Sequence, residues 1–333
     1  MRYVGITALI VCIILCIVTF AGCAFTGAIT DRTVSSTEAH TVETTDVPNS
    51  TTTSTISTTA HTTVTSAVKS NIDVGHELYV SGNVNKELAN ELSFVLDDYG
   101  KNISIVCWSV DGSKVVEYNT KQSYFSACTV KMPVMYSYCK LADAGLIDMN
   151  KELTYMSKHF YKGSGKIRYQ PFGTKYTTAQ LINESLSISD NVAYVMLLDA
   201  YGKVPVNTLM DELGCSSINL SSSGKWAKNI KAKDLATVWN EIYNYFCSDA
   251  TNAELLKNAC TNTPYNYGTL CITEDYSHKS GDNFGEFCAY NDAGIVWSEV
   301  PYVYVVLTNS EGTQYDINTV NSAMKIVNKI MTK

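Results

Sequence analysis

The chain has 333 residues, of which 45% are hydrophobic and 17% charged, with a formal net charge of −7. This length supports one large globular domain. The acidic balance gives no reason to expect a nucleic-acid partner.

Residues 4–20 are almost continuously apolar and follow Arg2. The run is short for a membrane span and suits a secretory h-region. It ends in Phe20-Ala21-Gly22-Cys23, which resembles a bacterial lipoprotein processing site. The expectation is a signal peptide over residues 1–22 and lipidation of Cys23, leaving the protein tethered to the outer face of the cytoplasmic membrane. An uncleaved anchor helix is the alternative, and it leaves the domain on the same side. Residues 23–74, dominated from Thr33 by Thr and Ser, bury too little to offset their ordering entropy and are expected to form a disordered stalk. The globular domain is expected over residues 75–333.

Eleven cysteines are present, of which Cys12, Cys16 and Cys23 fall in the targeting segment. The others show no spacing typical of a disulfide scaffold or zinc site. Cys260 and Cys271 are the pair to test first for a disulfide. No metal or cofactor is called for.

Leu88, Leu92, Val95, Leu96 and Tyr99 form one helical stripe, an amphipathic helix opening the domain. Residues 103–110 are apolar on both faces and read as a central strand. Asp111-Gly112 is a hairpin signal, with a return strand over 114–118. From Ser126 to about Asn262 the pattern is helices and loops with no convincing strand. Strand patterns follow at 269–279, 286–297 and 300–308. A last helix places Val320, Ala323, Val327 and Ile330 on one face. The expected architecture is α/β of the α+β type: an antiparallel sheet flanked by the terminal helices, plus an inserted all-helical lobe over about 126–262.

Three short stretches carry the chemistry. Phe125-Ser126-Ala127-Cys128-Thr129-Val130-Lys131 turns from loop into helix, since Val130, Val134, Tyr138 and Leu141 keep a helical spacing and Gly145 is a good stop. Positions three apart share a helix face, so Cys128 and Lys131 point into one pocket. A helix N-terminus and an ammonium both stabilise a thiolate. A buried structural cysteine is the plainer reading of Cys128 alone. Ser189-Asp190-Asn191 lies between two apolar helical runs, where Ser189 or Asp190 also suits a helix cap. Lys279-Ser280-Gly281 ends a strand pattern before Asp282-Asn283, and taken alone Lys279 reads as a solvated edge-strand lysine.

In this order the stretches match Ser-x-x-Lys, Ser-Asp-Asn and Lys-Thr/Ser-Gly, the signature of class A β-lactamases and penicillin-binding proteins. From about residue 80 onward the chain resembles that family, with Cys128 where the family has serine. The resemblance implies the family's two-lobe β-lactamase/transpeptidase-like fold, with the three motifs meeting in the cleft between lobes. It implies Cys128 as nucleophile, Lys131 as proton acceptor or poising charge, and Ser189 as proton shuttle to the leaving nitrogen. Asn191 would hold the substrate amide and Lys131, while Lys279 and Ser280 would bind a substrate carboxylate. The backbone N–H groups of Cys128 and Asp282 would form the oxyanion hole, and Gly281 would keep the strand edge open. The implied partner is a small-molecule β-lactam or a peptidoglycan-like peptide.

Two departures stand out. Cysteine acylates to a thioester with less need of a base, but its longer C–S bond strains a hydroxyl-tuned oxyanion hole. The chain also lacks the family's deacylating glutamate: residues 215–232 contain no Asp or Glu, and the loop is about a dozen residues short on motif spacing. Arg168 is the sole arginine of the domain, so the last strands offer no arginine clamp. His278 alternates with Lys279 and is expected to point away from the cleft. The function expected is a hydrolase forming an acyl-enzyme that is released slowly. The alternatives are a penicillin-binding acyl transferase and a non-catalytic cell-surface binding domain.

Overall fold

The computed structural model describes residues 78–333 apart from 222, 223, 228, 262, 266 and 268–271. The chain divides into units 1–62 and 63–333, and all described residues belong to the second. The expected signal peptide, Cys23, the stalk and Cys271 therefore lie outside the described residues.

A six-stranded, wholly antiparallel sheet forms the backbone of the domain, in the order β1 (Leu78–Ser81), β3 (Val115–Tyr118), β2 (Ile103–Ser109), β8 (Tyr302–Thr308), β7 (Ala289–Val296), β6 (Tyr276–Asn283). β2 is central, as its two-faced apolarity requires. The terminal helices α1 (Lys86–Asp97) and α8 (Gln314–Thr332) cover one face. Leu92 and Leu96 of the α1 stripe pack there with Tyr302, Tyr304 and Val327. Asn85 caps α1, accepting from the Glu87 and Leu88 N–H groups.

The other face carries the inserted lobe: α2 (Lys131–Asp143), α3 (Thr178–Ser187), α4 (Asn191–Tyr201), α5 (Val204–Glu212), α6 (Ala232–Phe246) and α7 (Ala253–Thr261). α2 is its axis. Every residue from Lys131 to Cys139 is buried, so the helix has no solvent face there, and the stripe read from sequence was only part of its packing. Pro133 is tolerated because first-turn N–H groups have no intrahelical partner. Among the described residues no helix is long and apolar enough to cross a membrane.

Several boundaries differ from the sequence expectation. The inserted lobe is not all-helical: β4 (Glu152–Thr154) and β5 (Lys175–Thr177) pair in a small antiparallel sheet. With three residues each, they are too short to show an alternation. β1 also went unread. β6 starts at Tyr276 and runs past Gly281, because Asp282 and Asn283 pair with Tyr290 and Ala289; the turn falls at 284–288. β7 therefore begins at Ala289. β8 begins at Tyr302, after Pro301, whose carbonyl accepts from Val110. Cys260 is a free thiol donating to the Lys257 carbonyl.

Candidate active site

Cys128 sits on a 3-10 turn, Ala127–Val130, that feeds straight into α2. Ala127 adopts the left-handed φ of +45°, an uncommon conformation for a residue with a side chain. The turn is held from two sides. Asn291 of β7 donates to the Phe125 carbonyl at 2.8 Å, and the Ser126 N–H donates to Ala227 at 3.0 Å. An isolated bridge between Tyr124 and Ile230 ties the same loop alongside. Asn291 was not singled out from sequence, since a buried strand asparagine carries no motif.

Lys131, wholly buried, projects from the first turn of α2. Its ammonium donates to the Ser189 carbonyl at 2.7 Å, Asn191 Oδ1 at 2.7 Å and Ser189 Oγ at 3.2 Å. Cys128 Sγ lies 3.9 Å from Asn191 Oδ1. Ser189 occupies the left-handed region at φ +56°. The helix cap is Asp190, not Ser189: Asp190 Oδ1 accepts from Val192 and Ala193, and Oδ2 from the Lys166 and Ile167 N–H groups. One carboxylate thus starts α4 and pins the preceding loop, which leaves the Ser189 hydroxyl turned toward Lys131.

β6 supplies the opposite wall. It is an edge strand, and a β-carbon on Gly281 would lie 2.4 Å from the Cys128 amide nitrogen. Trp297 N–H bonds Asp275, and antiparallel pairs alternate, so Lys279 and Gly281 exchange bonds with β7. Ser280 and Asp282 then turn their backbone groups to the open edge, where the Ser280 carbonyl accepts from Lys279 Nζ at 2.7 Å. Lys279 is buried, unlike the solvated lysine its sequence context allowed. His278 points away from the cleft, as expected, and its Nδ1 meets Asp292 at 2.8 Å behind the sheet.

Electrostatics favour a reactive sulfur. Burial pushes the Cys128 thiol up, but the Lys131 and Lys279 ammoniums and the Ser189 hydroxyl outweigh it, and the thiol falls below its ordinary value. Buried Cys107 and Cys139, with no such neighbours, are pushed up instead. Burial lowers Lys131, against the opposing pull of Cys128, and brings Lys279 down to about 8.

Together, a cysteine, two lysines, a serine and an asparagine from three separated stretches converge on one cleft from its two walls. The β-lactamase enzyme family model matches residues 86–331, which spans all three. The chain belongs to that family. Among solved structures of the fold it is similar to PBP-A, solved as a mutant in an acyl-enzyme complex with penicillin G: TM-score 0.65, 19% identity, covering 73% of this chain and 97% of that one. A β-lactamase from Sphaerobacter thermophilus matches with TM-score 0.64 and 19% identity, covering 73% and 95%. One from Chitinophaga pinensis gives 0.65 and 15%, covering 72% and 98%. No curated protein matches the chain in sequence.

One group stood outside the motifs. Trp226, from the loop before α6, stacks on Tyr194 with ring centres 5.0 Å apart and lies 5.5 Å from Lys131 Nζ. Its indole N–H donates to Tyr161 Oη at 3.1 Å. The lone tryptophan in a stretch without carboxylates was its only sequence signal.

Proposed function

We propose that this protein is a β-lactamase-family hydrolase that acts on β-lactams or related amides and esters through an acyl-enzyme on Cys128. The observation that carries the reading is the Cys128–Lys131–Ser189–Asn191 cluster facing the open edge of β6. In the proposed step the Cys128 thiolate attacks the carbonyl carbon, and the carbonyl π pair moves to oxygen. The oxyanion lies between the N–H groups of Cys128 and Asp282. As the intermediate collapses, the C–N bond breaks and the nitrogen takes a proton from Lys131 relayed by the Ser189 hydroxyl. A thioester remains. Lys279 and Ser280 hold the polar end of the substrate. Water then adds to the thioester carbon, one of its protons passing to the now neutral Lys131, and the thiolate departs, releasing the acid.

Slow release is part of the proposal, because the loop over Lys131 presents Trp226 and no carboxylate. The same observation favours a second reading, an acyl transferase of the penicillin-binding type in which an amine, rather than water, takes the acyl group. We place the domain outside the cytoplasmic membrane, tethered through a lipidated Cys23. Palmitate incorporation that a Cys23→Ala variant loses tests this placement.

The deciding experiment is intact mass after exposure to a chromogenic β-lactam, with Cys128→Ser and Cys128→Ala alongside. An adduct on Cys128 with slow turnover supports the acyl-enzyme. A stable adduct that only an added amine discharges supports the transferase. Neither adduct nor turnover leaves a binding domain.

A further inference from the structure

The side chain of Asp282 has no part in the reaction above, which uses only its backbone N–H. It is nevertheless an exposed charge on the open edge of β6, next to Gly281, whose backbone abuts Cys128. Asp282 shares a strand face with Ser280, two residues away. Its Oδ1 accepts from the Tyr267 hydroxyl at 2.9 Å. Tyr267 in turn stacks on Tyr290, the register partner of Asp282, with ring centres 4.5 Å apart, and its N–H donates to Asp292 at 3.1 Å. The carboxylate is therefore fixed in place. Among the described residues, no lysine or arginine forms an ion pair with it.

The cations nearby are buried, and both act on Cys128. Lys131 is buried against Ser189 and Asn191, and Lys279 is buried with its ammonium on the Ser280 carbonyl. The terminal strands carry no arginine. A substrate group arriving beside Ser280 meets a fixed anion, a phenol ring and a nucleophile that is itself anionic when reactive. A carboxylate is disfavoured there by like charge, while an ammonium gains an ion pair and the Tyr267 ring face.

We propose that Asp282, anchored by Tyr267, selects acyl donors whose group beside Ser280 is an ammonium or is uncharged, and disfavours a carboxylate. The inference rests on the acyl-enzyme reading for its substrate class, but the charge selection itself can be read without any acylation.

The test uses the full chain and three methanethiosulfonate reagents that form mixed disulfides with a thiolate: the cationic 2-aminoethyl, the anionic 2-sulfonatoethyl and the neutral methyl compound. Rates at Cys128 are followed by peptide mapping, and the quantity read is the cation-to-anion rate ratio, which cancels any change in thiolate fraction. Asp282→Asn should lower that ratio by about fivefold, the scale of exposed charge interactions, and Tyr267→Phe should lower it partway. The same proteins are then acylated with benzylpenicillin and its 2-aminoethylamide. Asp282→Asn should speed the first relative to the second by a similar factor. An unchanged thiosulfonate ratio overturns the proposal. A shifted ratio with no penicillin adduct in any protein keeps the charge selection and removes the acyl-enzyme reading.

Discussion

Gly281 and Cys128 meet backbone to backbone: a β-carbon on Gly281 would stand 2.4 Å from the Cys128 nitrogen and 2.8 Å from that of Thr129. No rotamer change relieves such a contact, so any side chain at 281 moves either β6 or the nucleophile turn. Gly281→Ala is expected to keep the fold and lower the rate of Cys128 acylation by about 100-fold, the scale of a displacement near 1 Å in an active site. Acylation within a few-fold of wild type would show that the oxyanion site does not depend on this approach.

The sequence-level reading succeeded where a local pattern coincided with a global role. The two-faced apolarity of β2, the α1 stripe and the helical block between strand patterns already implied a sheet and an inserted lobe, and the family resemblance carried by the three motifs implied their shared cleft. It failed where tertiary context decides. Asp190 and Ser189 are equally good caps by type, and only the loop at 162–167 needing a carboxylate for its N–H groups selects Asp190. Trp226 and Asn291 act through contacts across 95 and 166 residues of chain, and neither lies in a recognisable spacing. The three-residue strands β4 and β5 carry too few positions for periodicity to register.

Cys128 should be the most readily alkylated thiol of the folded domain. Its pKa lies below the ordinary thiol value, so its thiolate and its labelling rate should be established at a lower pH than for the same cysteine in denatured protein. Lys131→Met removes the first of the two cations that lower the thiol. The rise in labelling should then move to higher pH, with the rate near neutrality reduced. Iodoacetamide labelling with peptide mapping across pH gives both curves. Superimposable curves for the two proteins would remove Lys131 as the poising charge.

His278 and Asp292 form a pair behind the site, with side chains 0% and 1% exposed, and Tyr304 donates to the same carboxylate at 3.3 Å. Removing a buried acceptor leaves its hydrogen-bonded neighbours unpaired in the interior, which typically costs about 1–3 kcal/mol for each such group. Asp292→Ala should therefore lower the melting temperature by about 10 °C for a domain of this size. It should also loosen Tyr267, which donates its N–H to Asp292. A change of under about 2 °C by calorimetry would show that water or a neighbouring group takes over the contact.

In the proposed mechanism, Trp226 controls how the acyl-enzyme is released. The thioester carbonyl of that proposal would lie between the N–H groups of Cys128 and Asp282, which would activate it toward any nucleophile that arrives. Water needs a base, and general-base assistance is typically worth about 10²–10⁴-fold. Lys131 is the nearest basic group, but Trp226 and Tyr194 stand over its ammonium at 5.5 and 5.8 Å, and the Ser126–Ala227 and Tyr124–Ile230 hydrogen bonds clamp the Trp226 loop to the nucleophile turn. The expected effect is that these rings limit the access of water to Lys131. His278 is behind the sheet and cannot reach the thioester. Penicillin should accordingly label Cys128 and leave slowly, with a burst followed by a low steady rate on a chromogenic cephalosporin. Trp226→Ala opens the space without adding a base and should speed release by less than about tenfold; Trp226→Glu adds a carboxylate beside Lys131 and should speed it by about 10²-fold or more. Cys128→Ser should change acylation more than release, since the missing base is the same in both. Fast, burst-free turnover by the wild-type protein would mean that a base outside this set activates the water.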